Sequence, residues 1–585
     1  MLLLYSLLTT VVRTAVLLNN NEASEAVSKV DNNAYVVLNQ GKLQGEIETV
    51  HNKKWFGFYG IPYAAPPTGD DRWKAPKDAK SWSGTLHNKD PKKVPGCPQD
   101  SSHPTAPINQ SEDCLTLNIY MPEANDISKS KETSRPVMFW IHGGSWVHGH
   151  GGTGLYNGRH LATQQGVIVV SINYRLGSFG FLYDENHTND AVGNQAIRDM
   201  LKALDWVHAN IAQFYGNPND ITIFGESAGG QSVGTLLSLK HSSDRNKFKK
   251  AIVQSSPFGM HYRTKSQSSD EADELLNELG CKSKGWSCAK SVDYNEIVAA
   301  QSTVRGIIDR DLLISVFEAW TPTLDNDLLD MHPFDAIQSG RSSEKDVIFG
   351  HTTGEGSVFI YSIFKSAVGK TLYGTAINAL FGNDASKILA EFPSPCSTID
   401  RKCDMRPQLS LIAGSYLFDC PMRKAISNRA KVSSNSNEGK TYYYLFDHPV
   451  QDLDGIPPEA LEACGEVSCH GAELPYMFET FEDINISAST DEKALAAKLV
   501  AYWTQFSWTG SPNERNSNVQ PNPSVTLNCW HNWSKDKTNT CNDASDKDPY
   551  QVAHLETGSF DNIVNPSEVF YRCDFWDGLN AYLKH

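Results

Sequence analysis

Nearly unbroken apolar runs at residues 137–141 (Val-Met-Phe-Trp-Ile) and 167–172 (Val-Ile-Val-Val-Ser-Ile) predict strands covered on both faces, as in a mainly parallel sheet. Residues 221–224, 346–350 and 441–446 read as further strands, and residues 195–214 as a helical segment ahead of 221–224. After residue 224, apolar side chains at Val233, Leu236, Leu237 and Leu239 follow a helical spacing. Strands alternating with helices predict an α/β fold. Ahead of this core, residues 35–38 and 42–45 read as short antiparallel strands across an Asn-Gln-Gly turn, after a flexible lead-in at 20–33. Residues 56–67 look too rich in Gly and Pro for a regular element. Beyond 260 the pattern is more helical and less regular. Residues 493–506 form an amphipathic helix, 513–548 read as polar surface loop, and the tail from 568 ends in another helix.

Composition narrows the class. The chain has 585 residues, 40% hydrophobic and 21% charged, which describes a globular protein with ample core. The formal charge of -16 argues against a nucleic-acid partner, which would need concentrated Lys and Arg. Residues 2–12 are apolar but too short to span a bilayer, so residues 1–20 read as a signal peptide with residues 34–585 as one domain. No later stretch has the length of a membrane span.

The twelve cysteines include close local pairs at Cys97/Cys114, Cys281/Cys288, Cys396/Cys403, Cys464/Cys469 and Cys529/Cys541, leaving Cys420 and Cys573. Spacing does not fix connectivity, but no repeated C-x-x-C of a zinc site occurs, so disulfides in an oxidising compartment are expected. Sequons at Asn109, Asn186, Asn485 and Asn532 agree with secretion. No cofactor or metal is expected.

Candidate chemistry begins at Gly225-Glu226-Ser227-Ala228-Gly229, which lies between the 221–224 strand and the helix pattern that follows. A serine in a strand–turn–helix context, with small residues two before and two after it, matches a nucleophile elbow. G-x-S-x-G alone arises by accident in roughly one chain in five of this length, so the serine needs partners. They are sought in the order Ser, acid, His that α/β-hydrolases use. Glu355 lies between two glycines after the 346–350 strand. His470 follows Cys469 and precedes Gly471 and an apolar run. Trp140-Ile-His-Gly143-Gly144-Ser145 follows the 137–141 strand, where backbone N–H donors for an oxyanion belong. Gly144, Ser145 and Ala228 are the candidate donors.

With these residues stand Gly60-Ile-Pro-Tyr-Ala, Pro66-Pro, Arg72, Ser111-Glu-Asp-Cys-Leu-Thr-Leu-Asn, Asn173-Tyr-Arg-Leu-Gly, Gly180-Phe-Leu, Gly354-Glu-Gly-Ser and Tyr502-Trp. Together they resemble the type-B carboxylesterase/cholinesterase family over residues 35 to the end. The resemblance implies an α/β-hydrolase fold, with a large, mostly parallel sheet flanked by helices. It also implies a Ser227–Glu355–His470 triad and disulfides Cys97–Cys114, Cys281–Cys288 and Cys420–Cys573, leaving the other six cysteines local to this chain. Two departures bear on substrate. Ser145 stands where the family often has a third glycine. The loop between Cys97 and Cys114 holds no Trp, Tyr or Phe, so the cation–π site of cholinesterases is missing. That loop is also short and polar, unlike the apolar lid of the family's lipases.

The reading is therefore a secreted serine carboxylesterase acting on a small-molecule or lipid-like ester through an acyl-enzyme. The alternatives are a lipase, or a non-catalytic adhesion or scaffold protein on the same fold. Retention of serine, acid and base together favours the enzyme. Acyl and alcohol preference and oligomeric state are left open.

Overall fold

The computed structural model describes residues 27–582, except 104, 129–133, 309–317, 396–402, 433–437, 450–461, 514–526, 528, 534–551, 558–561, 565–568, 571, 580 and 581. The expected signal peptide lies outside the described residues. The strands are β1 (Tyr35–Val37), β2 (Lys42–Gln44), β3 (Glu46–Val50), β4 (Lys53–Pro62), β5 (Thr85–Leu86), β6 (Thr116–Pro122), β7 (Arg135–Ile141) and β8 (Ile168–Ile172). They continue with β9 (Gly216–Glu226), β10 (Lys250–Gln254), β11 (Arg263–Thr264), β12 (Thr323–Leu324), β13 (Asp346–Thr352), β14 (Thr441–Phe446), β15 (Val552–Leu555) and β16 (Asn562–Val564). The helices used below are α1 (Arg159–Gln165), α2 (Gln195–Asn210), α3 (Ala228–Ser238), α4 (Ser357–Ile363), α5 (Arg406–Gly414), α6 (Leu474–Phe478), α7 (Thr490–Thr509) and α8 (Cys573–Leu579).

Eleven strands form one sheet in the order β16-β15-β14-β13-β10-β9-β7-β8-β6-β4-β3. From β15 to β8 every neighbour pair is parallel, while β16, β6, β4 and β3 run antiparallel at the edges. This is the α/β-hydrolase architecture. Alternation along each strand divides the core in two: Phe139 and Ile223 point to one apolar cluster, Trp140 and Phe224 to the other. Both faces are covered, which is why these runs read as continuous apolar segments. The twenty residues of α7 begin at a capping box, Ser489 with Glu492, and end at Gly510 in the left-handed conformation. No helix among the described residues is long and apolar enough to cross a membrane.

Several of the family-like motifs turn out to be anchors. Arg72 grips Glu112 with two parallel bonds of 2.6 and 2.5 Å and caps the carbonyls of Ala289 and Val292. Arg175 holds the fully buried Asp199 in the same way, at 2.8 and 2.7 Å. Burial pushes the Asp199 carboxyl up, and the guanidinium opposes it. Disulfides join Cys97–Cys114, Cys281–Cys288, Cys420–Cys573 and Cys464–Cys469. Cys403 and Cys529 are also bonded, but Cys396 and Cys541 lie outside the described residues.

Three expectations need correcting. Residues 53–62 form a ten-residue strand despite their glycines. A methyl group on Gly57 would meet the Tyr59 hydroxyl, and Gly60 adopts a φ of +63° where the pairing with β6 shifts register. The glycines here fit a close contact and a bulge inside a strand. The lead-in is pinned from Ser28 onward: Val30 is buried, and its N–H bonds the Gln213 carbonyl at 2.9 Å. The 513–548 segment is not all surface either. Trp530 and Trp533 are buried, with the Trp533 N–H bonded to the Thr441 carbonyl at 2.6 Å. Polar neighbours masked those two tryptophans in the sequence pattern.

Candidate active site

β9 runs straight into Ser227, and α3 starts at the next residue. Ser227 itself has φ +58° and ψ -126°, a conformation a non-glycine residue adopts only when its surroundings enforce it. The enforcement is visible on both flanks. A methyl group on Gly225 would lie 2.6 Å from the carbonyl oxygens of Gly229 and Ile141; one on Gly229 would lie 2.1 Å from Ile141 O. The Ser227 N–H bonds the Gln254 carbonyl at 3.1 Å, and its carbonyl accepts from Gln231 at 2.8 Å. The strain thus points the side chain out at the carboxyl end of the parallel strands.

Past the end of β13, Glu355 is almost fully buried, and its Oε1 accepts from the Thr352 N–H at 2.7 Å. The loop carrying His470 is fastened beside it by the Cys464–Cys469 disulfide and by the Gly354 N–H donating to Ser468 O at 2.7 Å. These ties bring Glu355 Oε2 into a short hydrogen bond with His470 Nδ1. The other ring nitrogen, Nε2, faces Glu226 Oε1 at 3.2 Å. Among the described residues no hydrogen bond joins Ser227 Oγ to His470. The two are linked through their surroundings instead: Phe359 and Phe418 line the narrow pocket over Ser227, and their rings lie 5.0 and 5.2 Å from the imidazole.

On the opposite side, the loop after β7 presses against the serine. A methyl group on Gly143 would sit 2.7 Å from Glu226 O and 3.0 Å from Ser227 Cβ. Gly144 and Ser145 have φ of +109° and +51°, and the Gly144 carbonyl accepts from Val147 and His148. Among the described residues, the N–H groups of Gly144 and Ser145 donate to no backbone carbonyl. Ala228 opens α3, where N–H groups have no intrahelical acceptor.

The electrostatics centre on one imidazole among three buried carboxyl groups. Burial lifts Glu226 to about 8, against the pull of His470 and with help from Glu473 and Glu355. Burial also lifts Glu473 to about 7, aided by Glu355. Burial alone would lower His470, but the charges of Glu226 and Glu355 outweigh it and raise the imidazole to about 9. Glu355 moves the other way: burial would raise it, yet the charge and hydrogen bond of His470 hold it below the ordinary carboxylate range. Glu355 is therefore the firm anion of the group, while Glu226 and His470 pull on each other across the 3.2 Å between them.

The sequence reading did not single out Glu226 or Glu473. Glu226 stood in plain view inside the elbow motif. Glu473, three residues after His470, is held by Gln254 Nε2 at 3.2 Å, and Gln254 is in turn bonded by Trp503; only the fold connects these. Of the sequons, Asn109, Asn186 and Asn485 are exposed. Asn532 is half-buried, and its Oδ1 accepts from the Thr441 N–H at 2.9 Å.

A family model described as the carboxylesterase family matches residues 32–553. The cAMP-regulated D2 protein of Dictyostelium discoideum is 34% identical over 482 residues, covering 82% of this chain and 84% of that protein. The para-nitrobenzyl esterase of Bacillus subtilis (strain 168) is 32% identical over 490 residues, covering 82% and 90%. Among solved structures, a thermophilic PNB esterase superposes with a TM-score of 0.72 at 28% identity, covering 92% of this chain and 99% of that one.

Proposed function

The chain belongs to the carboxylesterase family and is a carboxylic ester hydrolase, and from that premise we propose a secreted serine esterase that works through an acyl-enzyme on Ser227. In this reading Ser227 Oγ attacks the ester carbonyl while His470 Nε2 takes its proton, turning from Glu226 as substrate enters. Glu355 fixes the Nδ1–H tautomer and stabilises the imidazolium. The oxyanion is received by the N–H groups of Gly144, Ser145 and Ala228, each worth about 2.7–4 kcal/mol in a comparable site. His470 then returns the proton to the departing alcohol, and a water repeats the sequence to release the acid.

The observation that carries the proposal is the buried Glu355–His470 hydrogen bond at the same sheet edge as a serine forced into an elbow. Secretion is supported by the disulfides, with Asn109, Asn186 and Asn485 as exposed glycan acceptors. Choline-type esters are disfavoured, since no aromatic ring stands between Cys97 and Cys114 to hold a quaternary ammonium. The test is turnover of p-nitrophenyl esters by wild type and Ser227→Ala. The variant should lose about 10⁴-fold or more in kcat. Retention of a hundredth of the wild-type rate would remove Ser227 from the role.

A further inference from the structure

Outside the hydrolytic site, three side chains from distant parts of the chain converge. His51 lies in the tight turn between β3 and β4, with φ of +47° there and +60° at Asn52. His160 is buried on α1, and Glu479 ends α6 in the left-handed conformation. His51 Nε2 is 3.6 Å from Glu479 Oε1, and His160 Nδ1 is 3.7 Å from Glu479 Oε2. The three ligand atoms all fall within 4.8 Å of one another.

These separations are too long for hydrogen bonds. They do suit donors around a common ion: nitrogen and oxygen ligands at about 2.0–2.2 Å in a tetrahedron stand roughly 3.3–3.6 Å apart. A second observation points the same way. His160 Nδ1 is buried and has no hydrogen-bond partner, although it is aimed at the cluster. The neighbouring cation is compensated elsewhere, because Arg159 is paired with Asp483 at 2.8 and 2.6 Å. Gln164 Nε2 donates to Glu479 Oε2, the kind of outer contact that orients a ligating carboxylate.

A comparison within the molecule sharpens the point. Asp447, His554 and Glu556 also lie within reach of one another. There, however, His554 Nε2 makes an ordinary 3.0 Å hydrogen bond to Asp447 Oδ2, and Asp447 Oδ1 accepts from Thr353 at 2.7 Å. That cluster is satisfied without an ion.

We propose that His51, His160 and Glu479 form a binding site for one Zn²⁺ ion, with a water in the fourth position. Two imidazoles and a carboxylate are a zinc-type donor set. The ion would tie the β3–β4 hairpin and α1 to the end of α6, the segment that leads away from His470. No Cys motif announces it, because its ligands are scattered over positions 51, 160 and 479.

The test is Zn²⁺ binding to the chelator-treated full chain by calorimetry, with thermal unfolding alongside and Co²⁺ as an absorbing substitute. One Zn²⁺ per chain is expected, with Tm rising by about 2 °C when free Zn²⁺ is a hundredfold above Kd. His51 is exposed in a turn, so His51→Ala should fold normally and bind at least tenfold more weakly. His554→Ala should bind as wild type. Absence of binding by the wild-type chain, undiminished binding by His51→Ala, or an equal loss in His554→Ala would overturn the site.

Discussion

On one side of Ser227 the backbone leaves no room for a methyl group; on the other, the pocket is closed by side chains from short helices and a π-helical turn. The first side is β7 with the loop after it, β9 and α3, where a methyl group added to Gly143, Gly225 or Gly229 would lie 2.1–2.7 Å from a carbonyl oxygen. The second is Phe359 on α4, with Leu417 and Phe418 in the turn Ser415–Asp419 after α5. Behind Leu417 lies a second cavity of about 80 Å³, lined almost wholly by apolar atoms of α4, α5 and residues 376–381. Backbone packing cannot yield without moving Ser227, whereas side-chain packing can change and leave Ser227, Glu355 and His470 in place. The difference separates the part of the site that would fix a mechanism from the part that would set a preference.

The largest effect should come from the backbone side. Gly229→Ala places a methyl group 2.1 Å from Ile141 O, so strand and helix must part. A loss of about 1–3 kcal/mol in stability is expected, with kcat falling roughly 10²-fold as Ser227 shifts. Chemical unfolding and p-nitrophenyl acetate kinetics check both. Normal activity in this variant would break the comparison. A smaller effect is expected across the pocket. Leu417→Ala opens the partition between the two cavities, and kcat/KM for a p-nitrophenyl octanoate should rise several-fold relative to the acetate. An unchanged ratio would mean that Leu417 does not bound the acyl group.

The same contrast explains what was legible in the sequence. Strands β7, β8, β9, β13 and β14 are covered on both faces, so each appears as an apolar run, and the elbow shows because only small residues fit beside Ser227. Glu355 and His470 were readable from their glycine and cysteine neighbours. The Gly354–Ser468 bond that joins their loops was not, since it links backbone atoms 114 positions apart. Phe359, Leu417 and Phe418 were hidden in the irregular 260–420 region, where neither period marks which face meets the pocket. In β4 the failure had another cause: glycine normally signals a break, but Gly57 and Gly60 accommodate a hydroxyl and a bulge within a continuing strand.

The central claim is that Ser227 is acylated with His470 as its base, and fluorophosphonate labelling read by mass spectrometry tests it most directly. The imidazole accepts a proton only when neutral, and Glu226 and Glu355 raise it to about 9. The labelling rate should therefore climb from pH 6 to pH 9, with its midpoint above the 6.5 of an unperturbed histidine. Glu226→Gln removes one of the raising charges and should move that midpoint down by about one unit or more. Expected is one adduct per chain, on the peptide containing Ser227 and absent from Ser227→Ala. No adduct on that peptide, or a rate flat across pH 6 to 9, would contradict the claim.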